Sequence, residues 1–194
     1  MSTALQIAIA KLRQAGNRIS ETQVYYFDDY DPETCDATAN CNRLGIPFTD
    51  DIIIEFPIKR TFNPLSAAEI ATLSNRLGAS IPNDYTSLLA EFGACHLPGS
   101  SDIALYSPDS AIAATRDEWG FKNPLTTPVL AISHYNHECD GDSIGFRRAG
   151  KAFAPELYVF KHELRYKGDD PKEWTERIAE SLSEFIVSYV DSLL

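Results

Sequence analysis

PVLAISHYNHECDGDSIGFRRAGKAFAPELYVFKHEL, residues 128–164, contains three apolar segments, each long enough to form a β-strand. They are PVLAISHY, DSIGFRR and ELYVFKHEL. Only short links separate them, and strands joined by short links pair antiparallel because parallel pairing needs a long crossover. Patterns typical of helices flank this region on both sides. The sequence therefore predicts the α+β class, with an antiparallel or mixed central sheet and helices packed against it.

The first link, HYNHECDGDSIGF at residues 134–146, carries several groups that can bind metals. His134 and His137 are three positions apart, and Glu138, Cys139 and Asp140 follow. The carboxylates are hard ligands and the thiolate is a soft one, so the set indicates no single metal. The residues between them favour a loop, in which sequence spacing does not bring ligands together. A metal-dependent hydrolase built on residues 134–143 stays an alternative, and no metal or cofactor is predicted.

The same link contains a G-x-S-x-G motif centred on Ser143. A serine nucleophile in this motif needs a strand before it and a helix after it. FRRAGKAFAP follows instead, and it has no helical periodicity. The downstream partners would have to be Glu156 and His162, which leaves no room for the elements that separate such partners. The motif therefore does not predict a catalytic serine.

A polar β-hairpin turn is the interpretation that we favour for this link. Asp140-Gly141 is a strong turn dipeptide, because glycine accepts positive φ and aspartate bonds its own backbone. Ile144 and Phe146 then alternate towards the interior. The exposed acids Glu138, Asp140 and Asp142 remain available to contact a partner.

The helices have clear boundary signals. Ser66 and Glu69 form a predicted capping box at the start of one helix. SIPNDYTSLLAEFGA, residues 80–94, predicts a second helix with Pro82 in its first turn, an apolar face at i, i+3, i+4 and i+7, and a stop at Gly93. We expect a helix near the N-terminus, another after Ser107-Pro108, and a last one capped by Ser181.

Three of these segments, in this order, resemble the SUKH superfamily of fungal cell-wall-assembly regulators and bacterial immunity proteins of polymorphic toxin systems. SIPNDYTSLLAEFGA is similar to an L-P-x-D-Y-x-x-F-L-x-x-x-N-G-G pattern, and HYNHECDGDSIGF stands where that family has a polar loop containing Gly-Asp. IAESLSEFIVSYV resembles I-A-x-S-F-x-E-F-L. The chain departs from the family at Phe92-Gly93-Ala94, in place of N-G-G, and at Leu182, in place of phenylalanine. The resemblance implies a SUKH-like α+β fold and a protein-binding role, and it brings no established catalytic residues.

The resemblance covers about residues 65–194, which we predict to be a SUKH-like domain. Residues 1–64 have no counterpart in the family pattern. We expect them to form an N-terminal extension of a helix and strands, packed on the core.

The composition restricts the class of partner. The formal net charge is −11, so the protein should repel nucleic acid and anionic membranes and attract a basic partner. The N-terminus lacks the features of a signal peptide, and we find no membrane span, so a cytoplasmic protein with reduced cysteines is expected. Spacing alone does not show whether Cys35 and Cys41 are bridged, and the oligomeric state is not predicted.

A second acidic stretch, VYYFDDYDPE at residues 24–33, alternates tyrosine with acids. Aromatic residues anchor protein interfaces, although an ordinary strand with buried aromatics is the simpler interpretation.

Together these observations predict a non-enzymatic protein-binding module. The first hypothesis is an immunity protein that neutralises a cognate toxin, whose partner would be a basic toxin domain. The alternative is a regulatory or scaffold adaptor. The candidate partner-binding residues are Tyr26, Asp28, Asp29, Tyr30, Asp31, Glu138, Asp140 and Asp142.

Overall fold

The computed structural model describes residues 3–15, 19–25, 52–58, 62–98, 103–135, 141–168 and 170–192. The helices in these ranges are α1 (Thr3–Ala15), α2 (Ala67–Leu77), α3 (Asn83–Phe92), α4 (Pro108–Asp117) and α5 (Leu182–Ser192). The strands are β1 (Ile19–Tyr25), β2 (Ile52–Ile58), β3 (Cys95–His96), β4 (Ala104–Leu105), β5 (Val129–His134), β6 (Ser143–Ala149), β7 (Ala152–Phe153), β8 (Leu157–Phe160) and β9 (Thr175–Ala179).

The central sheet has the strand order β5-β6-β8-β9, and β7 pairs with β6. Its strands pair antiparallel. Two further antiparallel pairs are formed by β1 with β2 and by β3 with β4. With helices packed on this sheet, the predicted α+β class is confirmed.

The helix boundaries follow their capping residues. The Ser66 side chain accepts from the Glu69 N–H, and the Glu69 carboxylate accepts from the Ser66 N–H at 2.8 Å. Ser107 caps α4, and Ser181 accepts from the Glu184 N–H at the start of α5. Each cap satisfies backbone donors that have no partner within the helix, which is why local sequence predicted these starts. Pro82 lies just before α3 rather than in its first turn.

The sheet is buried on both faces. Leu130 and Ile132 of β5 pack into a large cluster with apolar residues of all five helices. Their neighbours Val129 and Ala131 point to the opposite face, where they meet a smaller cluster with Trp119 and Trp174. Successive residues of a strand face opposite sides, so the segment of β5 between the two clusters, residues 129–132, is apolar throughout.

Helix α1 contributes to the larger cluster through its predicted apolar face, Leu5, Ala8 and Leu12. It packs mainly against α5. The division of the chain between residues 64 and 65 stays a prediction.

Three details of the predicted elements are wrong. His162, expected within a strand, begins a short 3₁₀-helix (His162–Lys167), because β8 ends at Phe160. The short link expected between the second and third predicted strands contains β7. Strand β9 was missed because its sequence, TERIA, lacks apolar alternation.

In the described part of the chain, no helix combines the length and the apolar character needed to cross a bilayer.

Candidate binding site at the end of the central sheet

The segment that joins β5 to β6 is a hairpin connection, as predicted. His134 pairs with Ser143 in the ladder, and beyond them the Tyr135 N–H donates to the Asp142 carbonyl at 2.8 Å. Gly141 has φ of 108°, a value that favours glycine. Residues 136–140 lie outside the described residues, and with them the expectations for His137, Glu138, Cys139 and Asp140.

Ser143 opens β6 and is fully buried. Its Oγ accepts from the Trp119 indole Nε1 at 3.2 Å and donates to a carboxylate oxygen of Glu118 at 3.4 Å. A nucleophilic serine needs an exposed hydroxyl beside a base. Ser143 instead links β6 by hydrogen bonds to the two residues that follow α4. The geometry therefore does not support a serine hydrolase.

His134, the last residue of β5, lies beside the half-buried phenol of Tyr106. Its Nδ1 lies 3.3 Å from the hydroxyl of Tyr106, which can donate when that nitrogen carries no proton. Burial raises the pKa of Tyr106 to about 12, with a smaller contribution from the Glu118 carboxylate. Glu118 therefore faces both Ser143 and Tyr106, and the phenol keeps its proton at neutral pH.

Asp142 joins the hairpin to the segment that follows β8. Its Oδ1 accepts from the His162 backbone N–H at 2.9 Å and lies 2.9 Å from His162 Nδ1. The Asp142 side chain is 17% exposed, against 40% for that of His162. Asp142 thus starts the 3₁₀-helix at His162, in addition to any contact that it makes with a partner.

These contacts bring one set of polar groups together at one end of the sheet, which we name the hairpin end. It consists of Tyr106, Glu118, His134, Asp142, Ser143 and His162. The sequence analysis named four of these six positions and missed Tyr106 and Glu118. Each lies at one end of α4, far in sequence from the hairpin, so only the pairing of the sheet brings them to it.

The hairpin end carries acidic charge on its surface. Glu118 and Glu163 are exposed, and Asp142 is partly so. The hydrogen bonds that are described connect elements of the fold to each other. Among the described residues, no group of three or more histidines, cysteines and acids is arranged to hold a metal ion. The arrangement offers a charged contact surface at one end of the central sheet.

Of the eight predicted partner-binding residues, the structure describes Asp142 alone. Tyr26, Asp28, Asp29, Tyr30, Asp31, Glu138 and Asp140 lie outside the described residues. Whether these seven converge with the hairpin end therefore stays a proposal.

Residues 64–188 match the SMI1 / KNR4 family (SUKH-1). This range contains α2 to β9, all six positions of the hairpin end, and most of α5. No curated protein matches the chain significantly.

Proposed function

The chain belongs to the SMI1 / KNR4 family (SUKH-1), and from this we propose that it is a non-enzymatic protein-binding module, an immunity protein that neutralises a cognate toxin. The proposal places the contact on an acidic surface. Its binding partner is another protein, and it catalyses no reaction.

The observation that carries the proposal is the acidic hairpin end on a chain of net charge −11. Glu118 contacts Ser143 and Asp142 contacts His162 at the base of the β5–β6 loop, and the exposed Glu163 follows His162 in the chain. The loop sequence adds Glu138 and Asp140. A toxin that acts on nucleic acid needs a basic cleft for the phosphates. An acidic inhibitor of matching shape presents charges similar to those of the phosphates, which speeds encounter and covers the cleft.

The hydrogen bonds at the hairpin end support binding rather than reaction. Ser143 and Asp142 are held by Trp119 and His162 within the fold, so the surface around them is pre-organised. Pre-organised surfaces lose less conformational entropy on binding. An interface of about 800 Å² on each side is enough for a stable complex, and it would extend beyond the hairpin end to the second acidic stretch at residues 24–33.

The experiment is co-expression with the product of the adjacent open reading frame, followed by affinity capture of the tagged chain. We expect a stoichiometric complex that protects cells from the toxicity of the partner. A large secreted protein with a toxic C-terminal domain, encoded next to this chain, is the genetic context that the proposal requires. Unrelated neighbouring genes and a regulatory partner would instead favour the adaptor alternative, and capture of no specific protein would contradict both.

A further inference from the structure

A basic-rimmed cleft lies beside α4 (Pro108–Asp117), and none of its lining residues belongs to the hairpin end. It has a volume of about 130 Å³ and is formed by the end of α2, one face of α4 and the loop at residues 121–127. Leu77, Ile112 and Phe121 supply apolar lining. Cofactor and drug sites usually enclose roughly 300–1,000 Å³. The α2–α4 cleft therefore fits one or two side chains of a peptide rather than a small-molecule cofactor.

The rim of the cleft is cationic, in contrast to the chain as a whole. Arg76, Arg116 and Lys122 line it. Arg76 pairs with Asp109, and Arg116 pairs with Asp117 at 2.6 Å. Lys122 makes no ion pair with any residue that the structure describes. With Asp109 and Asp117 counted, these groups leave one net positive charge at the rim. On a protein of net charge −11, this local excess favours an anionic occupant.

The two arginines are also accessible to an incoming carboxylate. The side chain of Asp109 is 87% exposed and that of Asp117 is 59% exposed. Ion pairs this exposed are weak because water screens them. A bound carboxylate could join or replace either aspartate at little cost.

The apolar part of the surface continues out of the cleft. Leu125, in the same loop, is 57% exposed. The wall behind it is fixed, because the Arg148 guanidinium donates to the carbonyls of Leu77, Pro124 and Thr127. A rigid apolar cleft with a cationic rim has the arrangement of an interface anchor site.

From these observations we propose that the α2–α4 cleft binds an acidic peptide segment of a protein partner, with one apolar side chain of the segment in the cleft and its carboxylates on Arg76, Arg116 and Lys122. This contact has the opposite charge preference to the acidic surface proposed above. The two surfaces share no residue, so either proposal can fail alone.

The test uses the full-length chain and three labelled pentapeptides. The first has one leucine between two pairs of aspartates. In the second, alanine replaces leucine, and in the third, lysines replace the aspartates. Fluorescence anisotropy gives the affinities, and amide chemical shifts locate the contact. We expect saturable binding of the first peptide, with shifts at residues 112–116 and 121–127, and weaker or no binding of the other two.

Two variants and a matched control test the residues. Lys122→Glu should lower the affinity for the first peptide by about ten-fold, since it replaces an attraction with a repulsion. Leu125→Ser should lower that affinity by about three-fold, since it removes an exposed apolar contact. Lys151→Glu makes the same charge change at an exposed lysine outside the cleft and should change affinity by less than about two-fold. Circular dichroism confirms that each variant is folded.

Three outcomes would overturn the proposal. The first is that the chain does not bind the first peptide at millimolar concentration. The second is that the amide shift changes fall outside residues 112–116 and 121–127. The third is that Lys122→Glu and Lys151→Glu lose the same affinity. The last result would show that net charge, rather than the cleft, attracts the peptide.

Discussion

The indole Nε1 of Trp119 lies 3.2 Å from Oγ of Ser143, although a loop and the whole of β5 separate the two residues in the chain. Trp119 stacks on Trp174 with ring centroids 5.3 Å apart, so the hydrogen bond fixes an aromatic cluster to the first residue of β6. Ser143, at the centre of the G-x-S-x-G motif, therefore stabilises the fold.

Ser143→Ala should destabilise the protein. The substitution leaves the buried Trp119 N–H without its acceptor, and the free energy of unfolding should fall by about 1–3 kcal/mol. Urea denaturation measures the change. Ser110→Ala, which alters an exposed hydroxyl at the start of α4, is the control and should cost less than about 0.5 kcal/mol. Equal effects of the two substitutions would show that the Trp119–Ser143 bond contributes nothing.

The raised pKa of Tyr106 predicts that the free energy of unfolding falls with pH above about 10. Its pKa is 10.0 without a protein environment and about 12 in the folded chain, because burial, and to a smaller extent Glu118, disfavour the phenolate. A raised pKa means that the folded state holds the proton more tightly. The contribution of Tyr106 to stability is therefore complete below pH 10 and is lost as the pH rises from about 10 to about 12.

Two variants check this dependence. Tyr106→Phe should lose stability less steeply than the wild-type chain between pH 10 and about 12, measured by urea denaturation at fixed pH. Glu118→Gln should lower the pKa of Tyr106, measured from the ¹³Cζ shift of the ring, while Glu163→Gln should leave it unchanged. A Tyr106 pKa that is unaffected by Glu118→Gln would contradict the proposed proximity of the two side chains.

Arg148 should stabilise the fold through the shape of its guanidinium group rather than through its charge alone. Its Nε donates to the Thr127 carbonyl at 2.7 Å, and its Nη2 donates to those of Leu77 at 2.8 Å and Pro124 at 3.3 Å. Lysine keeps the charge but lacks the planar fork that reaches several acceptors. Arg148→Lys should therefore lower the free energy of unfolding by about 2–3 kcal/mol, measured by urea denaturation.

The neighbouring residue provides the control for this substitution. The Arg147 guanidinium stacks over the Tyr158 ring at 4.9 Å, a contact worth about 0.5–1 kcal/mol at an exposed site. Arg147→Lys should cost no more than that. If both substitutions cost the same, the carbonyl contacts of Arg148 are not the source of its effect.

Gly93 and Gly150 differ both in backbone conformation and in the space that a side chain would have. Both have positive φ, 72° and 65°. A Cβ on Gly93 would lie 1.9 Å from the carbonyl oxygen of Asn63, whereas a Cβ on Gly150 would meet nothing within 4 Å. Gly150→Ala should cost about 1–2 kcal/mol, the cost of a left-handed residue.

Gly93→Ala should cost at least about 2 kcal/mol more in free energy of unfolding, for two reasons. The segment around Asn63 must move away from the end of α3, and Gly93 combines its φ of 72° with a ψ of −161°, a backbone region that only glycine adopts readily. Thermal and urea denaturation of the two variants give the comparison. Similar costs for the two would contradict both the close approach of Asn63 and the added backbone strain at Gly93.

Local signals explain how much of the fold could be predicted. The capping box at Ser66 and the apolar face of α3 depend on neighbours within one or two turns, and the structure confirms them. Strand β9 depends on pairing with β8 rather than on its own pattern, so its sequence did not reveal it. The stop at Gly93 was predicted from positive φ, but the close approach of Asn63 depends on tertiary packing.

The candidate site was harder to predict for the same reason. The β5–β6 hairpin was predicted because Asp140-Gly141 is a local turn signal. Tyr106 and Glu118 reach the hairpin end only through the packing of α4 on the sheet, and no spacing in the sequence encodes that contact.

The affinity for the product of the adjacent open reading frame, measured by titration calorimetry at two salt concentrations, tests the central claim most directly. We compare the wild-type chain with Glu138→Gln/Asp140→Asn, and with Glu173→Gln/Glu184→Gln as a control of equal charge change. The account predicts tight binding that weakens with salt, and a loss of at least about ten-fold in the first double variant alone. Equal affinities of the three proteins, or binding that salt does not change, would contradict an acidic contact surface at the hairpin end.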